Sequence, residues 1–497
     1  MPPNRNILLI NTCILTIQEY TANRCYPVGL LSLASYLRRE GHTAIDLLDF
    51  NIPGKYRELE SVLRQTQPDV VGLTGLTIDR ECIRQTAERV KRWNPDCLVV
   101  CGGPYASASW RSVVADPNID LVVIGEGEET FREILDRRFD GESLDGIAGT
   151  AVAGDDGLVT QGPPRLPIMD LDSLPAPAYD LVDLKYYART ESMAPIGCRP
   201  YIAIFSSRAC PYRCTYCHDI FGKTFRAMSA ERMVELIEHY IAEYGIRDFE
   251  FIDDIWNLDR KRVVRFCELV IARKLAISFH FPNGIRMDIM DEHIITLLKQ
   301  AGCVFMCIAV ESADKGIQKQ IKKNNKLEKI KENIAIADRV GLLTMGFFMI
   351  GFRGETFSQM LKTFRYMVTS RLNLAVMHTV TPFEGTELYE EDRGSTSGPE
   401  QDFDMDTYHR SYTGLSPVPD WQIALGKQIC YILFYAHPIR AIKLIRRYPN
   451  KAYLPRKAWQ CVKRTIHLLR PKRGRTLAQF QTPESRASQA KLSSLSQ

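Results

Sequence analysis

The sequence predicts an α/β protein in two parts with a helical basic tail. The first part is a doubly wound, Rossmann-like domain; the second is a partial (β/α)6 barrel of the TIM type. Three observations carry this. Short apolar runs alternate with amphipathic helical patterns twice along the chain, each time as strand, helix, strand, which is the pattern of a parallel sheet covered on both faces. A break in that rhythm, rich in Gly and Pro, separates the two series. The 497 residues are 45% apolar and 25% charged, enough to bury several cores and too apolar for a disordered chain.

The first series occupies residues 1–150. Strands are expected at 7–10, 44–48, 69–73, 98–101 and 121–124, and the clearest helices at 30–39 and 82–93. A doubly wound sheet binds ligands at the carboxyl ends of its strands. Three glycine-bearing segments fall there: GLTGLT (72–77) with Thr74 and Gly75, CGGPYAS (101–107) with Gly102, Gly103 and Tyr105, and IGEGEETF (124–131) with Gly125 and Gly127. Glycines at these points let a large ligand approach the backbone. No G-x-G-x-x-G follows the first strand, which argues against a dinucleotide. His42 precedes the second strand and reads as structural.

Residues 151–195, with GDDG, GPPRLP and LPAPAYD, read as a linker holding a small hairpin. The barrel follows over 196–390. Its strands are expected at 201–206, 249–252, 276–280, 304–309, 344–350 and 374–379. Helices fit 230–244, 260–274, 292–300, 327–340 and 356–369. In such a barrel the chemistry sits at the carboxyl ends of the strands. Residues 391–420 read as an acidic loop, 421–478 as a basic helical region, and 479–497 as a disordered Ser- and Gln-rich tail.

The sharpest motif follows the first barrel strand: Cys210-Pro-Tyr-Arg-Cys214-Thr-Tyr-Cys217. Three thiolates in one short loop suit an iron–sulfur cluster with one iron left open. A zinc site would need a fourth ligand, for which adjacent His218 is the candidate. The segment SSRACPYRCTYCH resembles the signature of the radical S-adenosylmethionine (SAM) enzymes. FIDDIW (251–256), NGIR (283–286), AVESAD (309–314), GFFMIGFRGE (346–355) and TPFEGTELY (381–389) resemble that family's later barrel motifs, in order. The N-terminal pattern, with YPVGLLSLASYLRREGHTAIDLLD (26–49), is similar to the cobalamin-binding domain of one large class of that family. That class includes the radical SAM methyltransferases and the magnesium-protoporphyrin ester cyclases.

The resemblance implies a 4Fe-4S cluster on Cys210, Cys214 and Cys217, with SAM at the open iron. It places Tyr216, Asp253, Asp254, Asn283, Glu311 and Ile350 around SAM. Asp253 and Asp254 stand where the family often has Gly-Gly-Glu, and they could equally cap the next helix. It places Thr74, Gly75, Gly102, Gly103, Tyr105, Gly125 and Gly127 around cobalamin. The D-x-H-x-x-G motif that supplies a cobalt ligand elsewhere is absent. No residue is assigned to the catalytic step itself. The implied reaction is reductive cleavage of SAM to a 5′-deoxyadenosyl radical, then methylation of an unactivated carbon in a small-molecule or lipid substrate. The alternatives are a non-methylating oxidative cyclase or a lipid or porphyrin tailoring enzyme; a cobalamin or redox sensor without catalysis ranks last. An external one-electron reductant of the flavodoxin or ferredoxin type is implied as partner.

Charge is unevenly spread. From Trp421 onward there are sixteen Lys or Arg and one acid, Glu484, a net +15 that leaves the first 420 residues at −10 within the total of +5. Ile439, Ile442 and Ile445, and then Trp459, Val462, Ile466 and Leu469, form stripes beside Lys and Arg. Basic amphipathic helices of this kind suit an anionic membrane surface. They suit equally two solvated helices packed on an acidic barrel. Nucleic acid is the least favoured partner. The N-terminus shows no secretory signal and no run of eighteen apolar residues exists, so a cytoplasmic location is expected, with peripheral contact at the inner membrane surface as the tail's variant.

Overall fold

The computed structural model describes residues 5–13, 24–154, 158–393, 415–457 and 459. The first sheet holds β1 (Ile7–Asn11), β2 (Ile45–Asp49), β3 (Val70–Thr74), β4 (Leu98–Gly102), β5 (Leu121–Val123), β6 (Thr150–Ala153) and β7 (Val159–Gln161). Their order is β2-β1-β3-β4-β5-β6-β7. The first five run parallel, while β6 pairs antiparallel with both β5 and β7. β1 is buried along its whole length, as a central parallel strand must be. Chain order reverses between β1 and β3, and such a switch point opens a crevice at the carboxyl ends. The hairpin expected in the linker is present, and it extends this sheet rather than standing apart.

The rest of the linker is not loose. Tyr179 and Tyr187 pack with Tyr26 and with Tyr201 of the barrel; Tyr26 lies 4.1 Å from the Tyr187 ring and 4.8 Å from that of Tyr201. The Tyr187 hydroxyl donates to Asp49 at 2.6 Å. Aromatic bodies with satisfied hydroxyls extend the barrel core to the helix Val28–Arg39 and to Leu47 of β2.

The second sheet holds β8 (Ile202–Ile204), β11 (Asp248–Phe251), β12 (Ser278–Ile285), β13 (Cys303–Glu311), β14 (Leu343–Ile350) and β15 (Leu374–Thr379), parallel and in sequential order. A small ribbon, β9 (Ser207–Arg208) with β10 (Arg226–Ala227), brackets the cysteine loop. Helices cover the outside. Their starts are set by side chains: Ser229, Asp259, Asp291 and Thr356 each accept a first-turn N–H. β12 runs further than expected, through Pro282, because its pairing with β13 shifts register between Phe281 and Ile285. A bulge there removes the need for the amide that proline lacks.

The helix Asp420–Tyr435 lies against the helix Phe357–Thr369, where a Cβ on Gly426 would come 2.7 Å from Phe364. The Tyr431 and Tyr435 hydroxyls accept the N–H groups of Met377 and Ala375 on edge strand β15. Within the expected acidic loop (391–420), residues 394–414 lie outside the described residues. So do Val462, Ile466, Leu469 and the whole tail from 479.

Candidate functional site

The cysteine loop begins two residues after β9, at the carboxyl end of the barrel. Ala209, just before Cys210, has φ +69, a region a residue with a side chain rarely enters. The loop is tied from both sides: Thr215 donates its N–H to Ile321 O at 3.2 Å and accepts that of Leu388 at 2.8 Å. Burial pushes the Cys210 thiol up and the Cys217 thiol up to about 12, and the neighbouring Cys214 adds to both. Thiols this close shed their protons when a cation arrives to share them. Among the described residues, no three His, Cys, Asp or Glu side chains close round a single metal ion. An iron–sulfur cluster asks for a different arrangement, one thiolate on each of three irons. His218 turns to Asp254, 3.4 Å away.

Around the loop stand the other barrel candidates. Asp253 is buried, with Ser206 donating to its Oδ1 at 3.0 Å and Ser207 donating to the same atom. Its Oδ2 is buried with no protein donor. Burial raises its pKa to about 6, against the opposing pull of Arg262 and the serines. An orphaned acidic oxygen at this position fits the ammonium of an amino-acid ligand. Asn283 is exposed and donates to Ile252 O at 2.5 Å. Glu311 ends β13 with φ +64, after a register shift between Ala309 and Glu311. The bulge brings its buried carboxylate beside Tyr216, whose ring lies 6.1 Å from Phe352. Ile350 is wholly enclosed in the barrel core.

Several residues here escaped the sequence reading. Lys323 lies 3.5 Å from Glu311; burial alone would depress its ammonium, but Glu311, Cys214 and Cys217 hold it up. Arg286 stacks 3.8 Å over Tyr212 of the cysteine loop. Glu355, in the quoted GFFMIGFRGE, is fully buried and accepts the N–H groups of Gly351 (2.6 Å) and Phe352 (3.1 Å). Lys323 sits in a KKNN run that reads as a solvated loop, so only its spatial neighbours reveal it.

In the first domain the glycines gather at the sheet's carboxyl end. Gly103 has φ +85, and a Cβ there would lie 2.0 Å from Thr74 Oγ1. Gly75 is equally tight, since a Cβ on it would lie 2.5 Å from Thr12 Oγ1. Thr12, unforeseen, closes the β1/β3 crevice by donating to Thr74 O at 2.8 Å. Gly102 allows a Cβ at ordinary contact with Val123 (3.5 Å). Gly125, at φ +84, donates its N–H to Ser107 Oγ at 3.0 Å, and Gly127 borders open space, with nothing within 4 Å of a Cβ. Gly127 thus leaves its backbone bare to a large ligand, as the sequence expects of a glycine there. Tyr105 packs half-buried on the hydrophobic core, its N–H on Gly75 O. His42 pairs with Asp136 at 2.9 Å, the structural role its place before β2 suggests.

The two carboxyl ends face each other. Ile220 O, just past the cysteine loop, is 3.8 Å from a Cβ on Gly125, and a Cβ on Gly385 would lie 3.2 Å from Ala108. Buried Arg208 joins Glu126 (2.9 Å) and Glu128, and Arg226 also reaches Glu126. Glycines facing a three-cysteine loop with an orphaned acid are the arrangement expected of a radical SAM enzyme that also binds a corrinoid.

Comparison with known proteins agrees. The B12 binding domain family matches residues 16–135 and the Radical SAM superfamily residues 204–367. An uncharacterized methyltransferase of Pyrococcus horikoshii is 30% identical over 427 residues, covering 84% of this chain and 89% of that protein. Cytidylyl-2-hydroxyethylphosphonate methyltransferase of Streptomyces wedmorensis is 26% identical over 515 residues, covering 92% of each. The solved structure of the radical SAM methyltransferase TsrM from Kitasatospora setae, with cobalamin and a [4Fe-4S] cluster bound, shares the fold. Its TM-score is 0.66 at 19% identity, over 80% of this chain and 76% of that one. The chain belongs to the cobalamin-dependent radical SAM enzymes, and its cofactors are a 4Fe-4S cluster, SAM and cobalamin.

Proposed function

We propose that this enzyme methylates an unactivated carbon of a small-molecule or lipid substrate. The observation that supports this reading is the facing of the Gly125–Gly127 cradle and the cysteine loop across the Arg208–Glu126 contact. A methyl donor and a radical source must share one chamber for such a transfer, and water must be kept out of it. The Pyrococcus and Streptomyces relatives, both named as methyltransferases, point the same way.

When bound, the cluster, SAM and cobalamin supply the electron, the radical and the methyl group. The chain positions them. Cys210, Cys214 and Cys217 hold the cluster. Asp253 Oδ2 accepts from the SAM ammonium, and Glu311 with Tyr216 flanks the nucleoside side of the same pocket. Lys323 balances the negative charge of the thiolates and of Glu311. Gly125 and Gly127 let the corrin lie on the backbone.

The test is anaerobic turnover with dithionite and SAM labelled in its methyl group, on metabolites that accumulate when the gene is deleted. Label in the product, with 5′-deoxyadenosine formed alongside, supports the reading. 5′-Deoxyadenosine with an oxidised or cyclised product free of label overturns it in favour of a cyclase.

A further inference from the structure

The helices Asp420–Tyr435 and Pro438–Arg447 are apolar on the wrong side for a protein in water. In the first, Ile423, Gly426, Cys430 and Phe434 form the inner face. Trp421, Leu425, Ile429 and Ile432 recur at spacings of four, four and three on the opposite face and are exposed, Trp421 by 65% and Ile432 by 66%. The second helix repeats this with Ile439, Ile442 and Ile445, each more than half exposed. Isolated surface isoleucines need no explanation, but exposed stripes on two successive helices do.

What the second helix buries is its charge. Arg440 is buried and donates to the carbonyls of Leu372 (2.9 Å), Val368 (3.0 Å), Ser370 (2.8 Å) and Phe434. Lys443 and Arg447 reach Asp338 at 2.5 and 2.7 Å. Cations anchor the helix inward and three isoleucines are left outward, so the orientation is held firmly. The bland alternative, helices docked on an acidic barrel, accounts for the cations and not for the isoleucines.

We propose that this face docks on an anionic lipid surface. Charge complementarity selects that occupant. From Trp421 to Pro483 the chain has no acidic residue, and Arg446 and Lys451 stand exposed beside the stripes. Apart from Asp420 at the first helix's start, the exposed charges beside these aliphatic side chains are cations, which match acyl chains beneath anionic headgroups. A second copy would set one strongly positive segment against another. Isoleucines offer nucleic acid no stacking platform. No helix among the described residues is long and apolar enough to cross a membrane, so the contact is with the surface. The stripe also starts close to the site: five residues before Trp421, Ser416 donates to Glu355 O at 2.7 Å. This inference does not depend on the methylation reading, since lipid binding is measured without turnover.

Full-length protein carrying its cluster and corrinoid is floated with vesicles of phosphatidylcholine alone, and with vesicles of equal parts phosphatidylcholine and phosphatidylglycerol. The double variant Ile432→Ser/Ile442→Ser is run beside it. The wild type is expected to float with the anionic vesicles only and to be released by salt. The double variant should partition about tenfold less or weaker still, because two buried-in-lipid side chains are lost. Its iron content and unfolding midpoint should stay put, since both positions are exposed. Three results overturn the proposal: no flotation with anionic vesicles, equal flotation with both kinds, or undiminished binding by the double variant. A concentration-dependent dimer that the double variant loses would overturn it as well, and would assign the face to a second copy.

Discussion

Arg208 and Glu128 are eighty residues apart in the chain, and their side chains meet in the buried seam between the two cofactor-binding ends. Arg208 stands two residues before the first cysteine of the loop; Glu128 opens the helix Glu128–Asp140 that follows the glycine cradle. Glu126 and Arg226 complete the group. One ion-paired seam therefore joins the cysteine loop to the glycine segment at Gly125–Gly127.

Breaking that seam from one side strands a buried charge. Arg208→Met should lower the free energy of unfolding by on the order of 3 kcal/mol in urea titration, with part of it recovered in Arg208→Met/Glu128→Gln. Loss of stability in the single variant with no recovery in the double would show that the pair acts through shape and not charge.

Cys214→Ala should abolish the broad visible absorption of the reconstituted cluster and bring bound iron close to zero. Corrinoid binding, measured by its own absorption after gel filtration, should survive, because the cradle is built from a different sheet. Loss of both together would point to unfolding instead.

Gly127→Phe should leave the fold almost untouched, since its backbone is helical and the space beside it is open. An apolar residue in place of a glycine N-cap costs about 1 kcal/mol, small beside the stability of the whole fold. Corrinoid affinity should fall about tenfold or more, equivalent to about 1.4 kcal/mol. Gly103→Ala offers the contrast: with φ +85 and Thr74 Oγ1 at 2.0 Å, it should destabilise the domain as well.

Glu355 gives the stability a pH dependence. Burial raises its pKa from 4.5 to about 7, against the N–H bonds from Phe352 and Gly351. The folded state therefore takes up a proton in this window. Its contribution is full below about 4.5 and is lost as the pH rises through about 7, by at most about 3 kcal/mol. Glu355→Gln keeps a carbonyl for the two N–H groups and carries no charge. Its unfolding free energy should fall less than that of the wild type between pH 5 and pH 8, in roughly the span those two pKa values set. Parallel curves would remove Glu355 as the cause.

Much of this was readable from sequence because parallel strands, buried on both faces, declare themselves as apolar runs; β1 and β13 are examples. The sequence pattern ends β12 at His280, since Pro282-Asn283-Gly284 carries turn chemistry, and only the bulged pairing with β13 carries the strand past it. The cysteines were legible because their ligand chemistry is local. Arg208, Glu126 and Lys323 were not, since their meaning comes from partners remote in sequence. The linker hid its tyrosines for the same reason: Tyr179 and Tyr187 matter through Tyr26 and Tyr201, not through any period of their own.

The barrel's sheet stops at β15, and a strand with no neighbour invites another chain to pair with it. Here two phenol oxygens, on Tyr431 and Tyr435, answer the amides of Met377 and Ala375 in place of a seventh strand. The helix Asp420–Tyr435 is thus a guard against polymerisation as much as a part of the fold. A chain ending after Tyr448 keeps that guard and should stay monodisperse, whereas one ending before Asp420 would offer its neighbours an unclosed ribbon.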